Sequence, residues 1–131
     1  MSNLKLNYLY RDGSNYKKWG SVTFLNPDNL TCERVEETIR QSFLEEGFFI
    51  ASQIHLPDVS FYSGGSISLD DHCYHEFHSV EATHDDPSDA LKRSIGEFLA
   101  EVLRGSQAGW KVFDPCDSKG SYGYLLAVGE R

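Results

Sequence analysis

The sequence predicts an α+β domain: a mostly antiparallel sheet in the order β-β-α-β-β-α, with two helices packed on one face. Three observations carry that expectation. Residues near the N-terminus alternate apolar and polar with period two, as half-buried strands do. Two later segments carry apolar residues three and four apart, the spacing of one helix face. At 131 residues and 40% hydrophobic composition, the chain suits one packed core and is short for two.

Leu4, Leu6, Tyr8 and Tyr10 alternate with Lys5 and Asn7, which predicts the first strand. "RDGSNYKKWG" follows as a turn-rich stretch, with Asp12-Gly13 its strongest turn signal. Alternation resumes from Ser21 to Leu25 through Val22 and Phe24, so the pair reads as a hairpin with a long, decorated loop. After "NPDNLT", Thr31 is an expected N-cap, and Val35, Ile39 and Phe43 share one face of a first helix that Gly47 ends.

Phe48 to Leu56 is an apolar, strand-like run stopped by Pro57. Beyond a Ser/Gly-rich loop, residues 73–81 alternate as a further strand. The second helix is expected to start at Asp86, with Pro87 in its first turn and Asp89 three residues after the cap. Its apolar stripe is Leu91, Ile95, Phe98, Leu99, Val102 and Leu103, and Gly105 closes it. Arg34, Arg40, Arg93 and Arg104 are expected to face solvent. In the last 26 residues "GWKVFDP" reads as a short strand and "YLLAV" as a final strand or docking tail.

Composition excludes several classes of function. A net charge of −8 leaves no basic face of the kind a nucleic-acid polymer requires. No apolar run approaches the roughly 20 residues that span a bilayer. Met1 is followed by polar Ser2 and Asn3 without a signal sequence, and Cys32, Cys73 and Cys116 form no C-x-x-C pair. Those features predict a cytoplasmic protein with free thiols, in a bacterium or a phage-infected host cell.

"DDHCYHEFH", from Asp70 to His78, gathers three of the five histidines. On a strand, His72, Tyr74, Glu76 and His78 point to one side and Cys73, His75 and Phe77 to the other, so the three histidines cannot converge on one ion. Glu76 and His78 lie about 6.6 Å apart at Cα by strand rise, close enough to share a metal completed from His55, His84 or Asp85. A Cys73–His75 nucleophile is the less expected reading, because neighbours along one strand hold their side chains parallel. No Walker loop, H-E-x-x-H, G-x-S-x-G or G-x-G-x-x-G is present.

The hairpin loop carries the other loaded segment. Arg11, Asn15, Tyr16, Lys17 and Trp19 combine cations, an amide and flat aromatic faces, a set that holds planar anions by stacking and charge. His75 is their expected neighbour. The leading expectation is thus a non-enzymatic binding protein for a small anionic, nucleotide-like ligand, with no cofactor, no metal and a plausible homo-oligomer. The alternatives are a metal-dependent hydrolase built around Glu76 and His78, and an acidic interaction or immunity-type protein that covers a protein partner.

"YRDGSNYKKWG", "GFFIASQIHLPD" and "DDHCYHEF" together resemble a family of small bacterial and phage-borne proteins, over roughly residues 6–86. That resemblance implies no particular chemistry. Size, hairpins followed by helices and the lack of catalytic motifs also look like the Thoeris anti-defence sponges of phages. Resemblance to those sponges implies an oligomer that sequesters cyclic ADP-ribose-type signals without cleaving them.

Overall fold

A computed structural model describes residues 2–64 and 66–116. Strands β1 (Asn3–Arg11) and β2 (Lys17–Phe24) form the N-terminal hairpin, and α1 (Cys32–Ser42) follows. The two-residue strand β3 (Phe48–Phe49), strand β4 (His75–Thr83) and α2 (Ile95–Ala108) complete the α+β order. The sheet runs β2-β1-β4-β3 and every neighbouring pair is antiparallel.

Both helices cover one face of this sheet. Leu4, Leu6, Tyr8, Val22, Phe24, Phe77 and Val80 supply the sheet side of the core, against Val35 and Ile39 of α1 and Ile95, Phe98, Leu99 and Val102 of α2. Phe24 stacks on Phe98, and Phe43 on Phe49, each pair with centroids 4.6 Å apart. One irregularity sets the phase of β4. Asn7 faces Ser79 and Tyr8 faces Phe77, so His78 is the extra residue of a β-bulge. Burial therefore falls on His75, Phe77 and then Val80, three residues on.

Helix α1 begins where expected, with Thr31 Oγ1 accepting from the Arg34 N–H at 3.1 Å. It ends at Ser42, ahead of Gly47, which instead takes a φ of +79° in a single 3₁₀ turn leading into β3. Helix α2 starts eight residues later than the Asp86 cap predicts. Ser94 is the N-cap and forms a reciprocal capping box with Glu97. Residues 88–95 are thereby freed to run along β2, where Ser88 and Ile95 donate backbone bonds to Thr23 and Leu25. Leu91 consequently lies outside the helical stripe and is exposed, and α2 continues through Gly105 to Ala108.

Arg93 is buried rather than solvated. It forks onto Asp89 (2.9 and 2.8 Å), donates to the Ile54 and His55 carbonyls and reaches Glu101. Those carbonyls lie at the end of a 3₁₀ turn, Ala51–Ile54 with His55 as its C-cap, which replaces most of the strand expected over Phe48–Leu56. Arg40 is exposed as expected, with its guanidinium 4.8 Å from the Phe77 ring centre. "GWKVFDP" forms no strand; Trp110 instead donates to the Ser42 carbonyl at 3.1 Å. "YLLAV" lies outside the described residues. Among the described residues no helix is long and apolar enough to cross a membrane.

Candidate functional site

Among the described residues, the helices leave the second face of the sheet uncovered. Cross-strand pairing places Leu9 directly between Trp19 and Glu76, Asn7 between Ser21 and Ser79, and Lys5 between Thr23 and Glu81. Arg11 and Lys17 close the hairpin as partners on that same face. A cleft of about 370 Å³ opens here, lined by Asn7, Trp19, Gly20, Ser21, His78, Ser79 and Glu81. Its volume falls at the lower end of small-molecule sites, which span roughly 300–1,000 Å³.

Trp19 forms one wall, 54% exposed, with its ring centre 5.0 Å from that of His78 in an edge-to-face arrangement. Leu9 beneath is only 2% exposed although it points away from the core, so its neighbours on this face cover it. Gly20, the next residue along β2, turns to the opposite, core face. A Cβ there would sit 2.9 Å from Tyr8 Cζ, because the Tyr8 ring passes under it to donate to the Pro57 carbonyl at 2.6 Å. "YKKWG" therefore belongs mostly to β2, and the hairpin loop is only Asp12–Tyr16. Asp12 Oδ1 accepts from the Ser14 and Tyr16 N–H groups, and Asn15 takes a left-handed φ of +70°, which asparagine tolerates.

Five of the six predicted binding residues, Arg11, Asn15, Tyr16, Lys17 and Trp19, lie together at this end of the hairpin. Arg11 is already engaged, however. Its Nε and Nη2 donate to the two Glu76 oxygens at 2.9 and 3.3 Å, and its Nη1 donates to Asn15 Oδ1 at 2.6 Å. Lys17 has no ion pair among the described residues, and Tyr16 is 68% exposed.

His75, the sixth, does not join them. It is buried on the core face, with Nε2 accepting from the Val59 N–H at 3.1 Å and lying 3.5 Å from Asp58 Oδ1. Burial works against the Asp58 carboxylate, but the nearby His75 ring and the bond from the Ser60 N–H outweigh it and lower its pKa to about 2. Tyr8, Tyr10 and Phe49 ring the same imidazole.

The alternating faces of "DDHCYHEFH" are resolved in this way: Cys73, His75 and Phe77 are buried, while Glu76 and His78 belong to the open face. Burial pushes the Cys73 thiol up, the opposite of an activated nucleophile. Glu76 is clamped by Arg11, and His78 Nδ1 meets Ser79 Oγ at 3.0 Å. Among the described residues no three His, Cys, Asp or Glu side chains converge as metal ligands do.

Asn7, Ser21, Ser79 and Glu81 are the cleft residues that sequence reasoning passed over. Their signal was present in the polar positions of two strands, but only the register of the sheet brings them together. No family model, curated protein or solved structure matches the chain. The fold and cleft define it as an α+β protein with an open sheet face that carries an aromatic-walled cleft.

Proposed function

We propose that this is a non-enzymatic protein that captures a small, anionic, nucleotide-like ligand on its open sheet face. One observation carries the reading: Trp19 stands as a half-exposed wall of a cleft whose other lining residues, Gly20 apart, carry hydrogen-bonding side chains. A planar base stacks on an indole without any catalytic group, with roughly 1–3 kcal/mol per stacked base. Lys17 and Ser21 flank Trp19 at two-residue spacing on the same face, about 6.6 Å away on either side by strand rise. Lys17 offers charge to a phosphate at the hairpin end, with Tyr16 and Asn15 beside it, and the cleft takes the base at the other end.

The likeness to phage anti-defence sponges gives such capture a setting, sequestration of a signal in the cytoplasm of an infected cell. Three cysteines that do not pair with one another support a reducing compartment. The outer edge of β2 supports a homo-oligomer. Thr23 bonds Ser88 there, so by alternation the backbone groups of Lys17, Trp19 and Ser21 also point outward, unpaired among the described residues. The metal-hydrolase alternative loses support from the Arg11 clamp, which occupies both oxygens of Glu76.

The test is calorimetry and thermal shift with a panel of linear and cyclic nucleotides, together with mass spectrometry of the recovered ligand. Binding, stabilisation that rises with ligand concentration, recovery of intact ligand and loss of binding in Trp19→Ala are expected. An unshifted melting temperature across the panel at saturating concentrations, or turnover of the ligand, overturns the reading.

A further inference from the structure

Resting on the reading of Trp19 as a stacking wall, we propose that the cleft recognises the base of its ligand by a donor-bearing edge. The matching chemistry is a purine with adjacent N–H and amino donors, as guanine presents. Asn7, on the central strand, carries the argument. Its Nδ2 donates to Glu81 Oε2 at 2.8 Å and to Ser79 Oγ at 3.2 Å. An amide nitrogen has two hydrogens, and both are spent. The same bonds fix the orientation of the amide, because an oxygen placed against the Glu81 carboxylate would have no hydrogen to share.

What remains for a ligand is therefore mostly acceptor capacity. Among the described residues nothing donates to Asn7 Oδ1 or to Glu81 Oε1. Ser79 Oγ is taken up by Asn7 and His78. Ser21 Oγ and His78 Nε2 can act in either sense. A phosphate is acceptor-only and finds little here, since the nearest cation, Lys5, is paired with Asp85 at 2.9 Å. A carboxylate facing a purine edge accepts two parallel bonds from adjacent N–H and amino groups, whereas adenine presents an acceptor at the first of those positions. Each such bidentate pair discriminates by roughly ten-fold or more.

The experiment is calorimetric titration of the full chain with guanosine, inosine and adenosine 5′-monophosphates and with ribose 5-phosphate. Wild type, Glu81→Gln and Trp19→Ala are compared, with melting temperatures as the check on folding. Expected are guanosine monophosphate binding roughly ten-fold or more above the other two nucleotides, collapse of that preference in Glu81→Gln, and weakening of all three alike in Trp19→Ala. Equal affinity for the three nucleotides overturns the edge recognition while leaving capture intact; ribose 5-phosphate binding as tightly as they do overturns the edge recognition and the stacking of the base on Trp19 together. A full guanine preference in folded Glu81→Gln also overturns it. No binding by any probe at millimolar concentration overturns edge recognition and capture together.

Discussion

Arg11 and Glu76, 65 residues apart in the chain, form a two-bond ion pair across the β1–β4 boundary of the open face. The pair ties together the two segments that carry most of the chain's chemical side chains. It takes the guanidinium from any anion at the hairpin and the carboxylate from any cation beside His78. Removing the negative partner should release the positive one. Glu76→Gln is expected to raise affinity for phosphate-bearing ligands by about two- to five-fold at low salt, with the gain fading as ionic strength rises. Calorimetry at two salt concentrations checks this, and an unchanged affinity would show that Arg11 takes no part in binding.

Arg93 should be the most damaging single truncation among the charged residues. Burial works against the Asp89 carboxylate, yet the Arg93 bonds hold it below the usual range. Arg93→Ala leaves Asp89 buried without its partner and two carbonyls unbonded, a loss of about 3–5 kcal/mol. Arg93→Lys keeps the charge but not the fork, and should recover only part of it. Denaturant titration of the three proteins measures the order.

At Gly20 the space, not the backbone conformation, is what matters. A Cβ would press on Tyr8 Cζ and on Val59 Cγ1 at 3.1 Å. Gly20→Ala is expected to cost about 1–3 kcal/mol by overpacking. Tyr8→Phe should lose only the bond to Pro57, and combining it with Gly20→Ala should give less than the sum of the two, because both act on one contact.

Acid should loosen the turn that holds His75. Asp58 has a folded pKa below its unfolded value, so its contribution is complete above about pH 4 and is lost as pH falls toward 2. Its side chain is 41% exposed, and solvent screening limits the effect to about 1 kcal/mol. Asp58→Asn should flatten the fall in stability over that window and leave the melting temperature at pH 7 lower than wild type. A wild-type slope in the variant between pH 4 and 2 would remove Asp58 from the account.

Period-two alternation exposed β1, β2 and the two-faced character of β4, and helical spacing exposed both apolar stripes, because those patterns are local and follow directly from backbone geometry. The late start of α2 was hidden by competition. Asp86-Pro87 is a sound helix start by itself, but residues 88–95 gain backbone partners along β2, and Ser94 with Glu97 offers a complete cap further on. Arg93 looked like a surface residue because its five side-chain bonds reach three separate segments.

The sequence by itself determined the α+β class, the element order and the grouping of Arg11, Asn15, Tyr16, Lys17 and Trp19, since each depends on residues near one another in the chain. Only the tertiary structure decided that His75 is interior, that Arg11 and Glu76 neutralise each other, and that Asn7, Ser79 and Glu81 join Trp19 around one cleft. These depend on strand register and on the bulge at His78, which arise from packing of the whole sheet against its helices. A shift of one residue would send every one of those side chains to the opposite face.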